Sequence, residues 1–88
     1  MIQIRSSRFP GPGYDLKPIH SNVVECQTVA AARSAALALI ARHHQVMMAS
    51  ESEIVSDLWV GFGEFCVMAV RLHADRSEQP YNSAWLTQ

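Results

Sequence analysis

Residues 28–44, TVAAARSAALALIARHH, are the most regular stretch of this chain and the one that leaves the fold least choice. Alanine has the highest intrinsic helix propensity, with leucine and arginine close behind, so this stretch specifies a helix. Thr28 suits the N-cap, its hydroxyl placed to accept a bond from a first-turn N–H. No Glu or Gln stands three residues later, so the cap lacks a reciprocal box. The helix is expected to occupy 28–45, from about Val29 to His44 or Gln45. Arg42, His43 and His44 then fall in its last turns, at the negative end of the helix dipole.

One amphipathic helix cannot hide its own apolar side, so the flanking segments must form the second layer. MIQIRSSRF alternates Ile2 and Ile4 with Gln3 and Arg5, which predicts a strand over 1–8, stopped by PGPG at 10–13. A second strand is expected within 16–27, with Val24 and Cys26 on one face and Val23, Glu25 and Gln27 on the other. Pro18 has no N–H for a ladder, so its part is an edge or an irregular approach. After the polar ASESE, residues 53–73 have the pattern of a hairpin. Ile54, Leu58, Val60 and Phe62 take one face, Val55, Asp57 and Trp59 the other, GFGE makes the turn, and FCVMAVRLH returns. Residues 76–88 form a polar tail carrying Tyr81, Trp85 and Leu86. The expected architecture is one α+β domain over 1–88: an antiparallel sheet of about four strands in ββαββ order, with the Ala-rich helix packed on one face.

At 100° per residue the helix divides into two sides. Val29, Ala32, Ala36, Leu39, Ile40 and His43 form the band that must meet the sheet, with Leu37 at its margin. Ala30, Ser34, Ala38, Ala41 and Gln45 fall opposite, with no long charged residue at their centre. Alanine there serves local helix stability, and it also lets another backbone come close. The outer side is therefore a candidate contact surface, for a second copy of the chain or for a foreign partner.

Charge bears on the partner. The net charge is −1, which gives no footprint for nucleic acid. Arg5, Arg8 and Lys17 beside Phe9 and Tyr14 are the nearest approach to one, so direct nucleic-acid binding is a lesser alternative. The halves differ: residues 1–42 carry five basic and two acidic groups, and 43–88 carry two basic and six acidic. Glu51, Glu53, Asp57 and Glu64 come without an intervening Lys or Arg, as either a solvated face or an acidic patch for a basic surface. Trp59, Tyr81 and Trp85 are candidate anchors, because Trp and Tyr are frequent at interface hot spots. For each of them a small second core under the tail is the alternative.

No catalytic, metal or cofactor site is expected. Cys26 and Cys66 are far apart, and His43 and His44 are adjacent, unlike the close ligand pairs of structural zinc. His43 sits in the apolar band as a core histidine with satisfied nitrogens. A thiol–imidazole pair of Cys26 or Cys66 with His20, His43 or His73 has no local signature, and Cys66 lies in the core-like run FCVMAV. No signal peptide or membrane span is visible, so the expected place is a reducing cytoplasm with both thiols free.

The order of VVECQTVAAARSAALALIARHH followed by the SDLWVGFGEFCVMAV hairpin resembles the small proteins that phages encode against host defences, anti-CRISPR proteins above all. The resemblance covers the organisation of residues 23–72 and carries no motif. It implies a non-enzymatic inhibitor that binds a larger host protein or nucleoprotein complex and blocks it sterically. The strand-to-helix order also resembles the partial RNase-H-like fold of some antitoxins. An antitoxin-like protein or a homodimeric interaction module is thus the alternative.

Overall fold

The computed structural model describes residues 1–11, 15–49, 54–73 and 84–87, with the backbone alone at 47–49. Glu51, Glu53, Tyr14 and Tyr81 lie outside the described residues. The elements run β1 (Ile2–Phe9), β2 (His20–Cys26), α1 (Val29–Ala49), β3 (Val55–Phe62), β4 (Phe65–Leu72) and α2 (Ala84–Thr87). The strands form one antiparallel sheet in the order β2-β1-β3-β4, an α+β fold with ββαββ sequence order. Strand β1 is central, with Ile4 opposite Val24 on β2 and Val60 on β3. No described helix is long and apolar enough to cross a membrane.

Alternation along the strands sends Ile2, Ile4, Leu58, Val60 and Met68 to the side occupied by α1, where all are buried. Ala32 and Ala36 of α1 have no exposed surface, so the small side of the helix lies against the sheet. Thr28 caps the helix, its Oγ1 accepting from the Ala31 N–H at 3.1 Å. Leu86 of the short α2 joins the same core, and Trp85 packs partly buried at its margin.

The structure shifts several expected boundaries. Strand β2 starts at His20, two residues after Pro18, whose ring nitrogen cannot join the ladder. Helix α1 continues through good helix formers to Ala49, so Arg42, His43 and His44 are not its last turn and no basic residue is. Val29 and Leu37, assigned to the core band or its margin, are 41% and 50% exposed. Phe62 is exposed although its phase matches Val60, because the β1 ladder reaches only as far as Gly61. Cys66 is also exposed: an irregularity at Val60/Gly61 sets it opposite Gly61 and out of the core.

Candidate functional site

The strand residues left over from the core make a second, open face. Arg5, Ser7 and Phe9 of β1 lie there with Val23 of β2, Asp57 and Trp59 of β3, and Ala69 and Arg71 of β4. Both described helices pack on the other side. The face is organised around two guanidinium groups on aromatic rings. Arg5 is the cross-strand partner of Trp59 and stacks on its indole, 4.6 Å from the ring centroid. Gln3 holds that guanidinium from the same strand, its Oε1 accepting from Arg5 Nη2 at 3.0 Å.

Gly61 makes the stack possible. It follows Trp59 by two residues, on the same face, and a Cβ there would lie 2.6 Å from the ring carbon Cη2. The indole therefore lies flat along the strand over a residue with no side chain. Arg71 makes the second arrangement, donating Nε to Asp57 Oδ1 at 2.7 Å and Nη2 to Oδ2 at 2.9 Å. Its guanidinium carbon also stands 5.6 Å from the Phe9 centroid. A depression of about 440 Å³ lies between these groups, bounded by Arg5, Trp59, Asp57 and Arg71.

The candidate contact residues do not form one surface. Ala30, Ser34, Ala38 and Ala41 are exposed on the outer side of α1, across the domain from Trp59. Glu64 is at the exposed hairpin turn. Asp57 is mid-strand on the open face and neutralised by Arg71, so Asp57 and Glu64 make no common acidic patch. Arg5 and Arg8 point to opposite faces of β1, which separates the basic groups considered for nucleic acid. Cys26 and Cys66 sit on strands at opposite edges of the sheet, roughly 14 Å apart at normal strand spacing, too far for a disulfide. Among the described residues no three of His, Cys, Asp and Glu converge as metal ligands.

Under the C-terminal half of α1, His43 is buried and fully bonded. Its Nε2 is 3.0 Å from the His73 carbonyl oxygen, which only accepts, so Nε2 carries the proton. Its Nδ1 then accepts from the Ser56 hydroxyl at 2.7 Å. Burial lowers the pKa of this imidazole, and the charges of His44 and Arg8 push the same way against the raising effect of the His73 carbonyl. In the unfolded chain it would protonate near 6.5, its ordinary value. Below that pH the unfolded state binds more protons than the folded one. The stabilising contribution is thus full above about pH 6.5 and is lost as pH falls through the lowered folded value. The unfolding free energy from denaturant titration should drop on mild acidification, by at most about 1.4 kcal/mol per pH unit from this group. His43→Gln should show a shallower drop, and equal slopes would mean that His43 is not the titrating group.

No protein-family model matches the chain, and no match is found among curated proteins or solved structures.

Proposed function

We propose that this protein is a non-enzymatic binding module whose open sheet face docks on a larger protein, as an inhibitor of the anti-CRISPR kind would. The observation that carries the reading is the Arg5–Trp59 stack on a face that neither described helix covers. Tryptophan and arginine are the residue types that dominate interface energetics, and the glycine beneath the indole holds it flat and ready. Arg71 has its carboxylate in Asp57, whereas among the described residues Arg5 bonds to the neutral Gln3 side chain and to no carboxylate. A partner surface with a carboxylate opposite Arg5 therefore fits.

Area limits the interface. Four strands about 4.8 Å apart and about eight residues long give a face of roughly 500 Å². A stable complex generally buries about 800 Å² on each side. The face alone falls short of that, so a partner must also reach its margins, where Val23 of β2 and Cys66 of β4 are exposed.

The test is a comparison of two surfaces by affinity capture from a lysate of the source cells. Trp59→Ala and Arg5→Glu should lose the captured partner, each by about tenfold or more in affinity. Ala38→Arg, on the outer side of α1, should keep it and change stability by no more than about 0.5 kcal/mol. Capture that survives both sheet-face changes and fails with Ala38→Arg would move the interface to the helix, the arrangement expected of a homodimeric module. Melting curves of all variants separate lost binding from lost folding.

A further inference from the structure

The domain holds a second polar site, on the opposite face of β1 from the Arg5–Trp59 stack. Under the first part of α1 the inward strand positions are Ile2, Ile4, Val24 and Val60, and they pack as core. Further along the same faces the side chains change character. Ser6 and Arg8 continue β1, Asn22 and His20 stand opposite them on β2, and Ser56 is the partner of Arg8 on β3. The helix brings Arg42 and His43 over this row. Between them lies a cavity of about 360 Å³, with Leu39, Leu58 and Leu72 as its apolar wall.

Three features give this cavity a sign. First, Arg8 Nε is buried and has no hydrogen-bond acceptor among the described residues. An orphaned donor on a charged group is among the costlier defects a fold can carry, and native structures keep few of them. Second, the only carboxylate bordering the cavity among the described residues is Asp57, and Arg71 engages both its oxygens from the other face. Third, two of the neutral groups already have partners. Ser56 donates to His43, and His43 donates to the His73 carbonyl, so neither supplies the acceptor that Arg8 lacks. What remains facing the cavity is two guanidinium groups, Arg8 and Arg42, beside the His20 imidazole, the Asn22 amide and the Ser6 hydroxyl, each of which can donate or accept.

We infer that the cavity between α1 and the Arg8 end of the sheet binds a small molecule through a phosphoryl group seated on Arg8. A tetrahedral oxyanion presents acceptors in several directions at once, which suits donors arriving from β1, β2 and α1. The cavity is at the small end of ligand pockets, and its apolar wall leaves room for a compact organic group behind the phosphate. This site is independent of the docking face, so either proposal can fail without the other.

The probe is inorganic phosphate, titrated into ¹⁵N-labelled protein at constant ionic strength with chloride as the background. Saturable shifts are expected at the Arg8 Nε–H and at the amides of Ser6 and His43. Arg8→Gln should weaken binding about tenfold or more, the loss of one charge-assisted contact. Lys17→Gln, the same charge change at an exposed site away from the cavity, should leave it unaltered. Because Arg8 is partly inside the fold, the exposed Arg42→Gln provides a second variant, expected to weaken phosphate binding several-fold with the fold intact. Shifts no larger than those from chloride, or an affinity unchanged in both arginine variants, would overturn the site. Acetate binding as tightly as phosphate would overturn the phosphoryl assignment.

Discussion

Replacing Ile4 with alanine should destabilise the protein by about 2–5 kcal/mol. Ile4 has no exposed surface, pairs with Val24 on one side and Val60 on the other, and lies in the cluster that α1 covers. Its neighbours cannot collapse into the space it leaves, because two of them are fixed by strand ladders. A domain of this size has a total stability of only about 4–13 kcal/mol, so this one change removes a large part of it. A urea titration measures the loss directly. Ile40→Ala should fall in the same range, since Ile40 is buried on the sheet-facing side of that helix, and Leu39→Ala should cost less because Leu39 is only partly buried. An Ile4→Ala midpoint equal to that of the unaltered protein would mean that the central strand is not where the core lies.

The second large effect comes from adding a single methyl group. Gly61→Ala should cost about 1–3 kcal/mol, because the new Cβ would collide with the Phe65 carbonyl oxygen as well as the Trp59 ring. The carbonyl is backbone and cannot swing aside, so the hairpin must distort or the indole must leave. The Trp59 indole N–H resonance should move accordingly, and capture of a partner through the sheet face should weaken with it. Gly63 provides the contrast. Its φ of +54° requires the left-handed region, but a Cβ there meets open space. Alanine at Gly63 should cost about 1 kcal/mol through backbone alone and leave Trp59 undisturbed. An unchanged Trp59 resonance in Gly61→Ala would show that the ring does not lie over residue 61.

The parts of the fold that local pattern determines were legible in the chain. Propensity and a cap marked the helix, alternation separated Val24 and Cys26 from Val23 and Glu25, and a turn glycine marked the hairpin. What alternation could not convey was the strand order, because β1 finds β3 across some fifty residues with no local signal for that pairing. The exposure of Cys66 escapes the sequence for a related reason: composition reports how apolar a strand is, while the irregularity at Val60/Gly61 decides which way one residue turns. The phosphoryl site was partly within reach. Arg8 is in phase with Ile2 and Ile4, so period two alone sends it inward. Grouping it with Arg5 as a single basic footprint hid that, since neighbours an odd number of residues apart face opposite ways. The role of Ser56 had no such signal, because it depends on where His43 descends from the helix.

The central position of β1 also determines when it can be installed. The β3–β4 hairpin closes across a two-residue turn, and β1 meets β2 over the eleven residues between Arg8 and His20, whereas the β1–β3 ladder must close over some fifty residues. Loop closure over that span is paid in entropy before any contact repays it, so the local hairpin is the cheaper nucleus and the β1–β3 ladder the late arrival. Groups that lock in after the barrier influence escape from the native state more than entry to it. The stability lost in Ile4→Ala should accordingly show up as faster unfolding, with the refolding rate little changed, which makes the first strand of the chain the latch of the whole sheet.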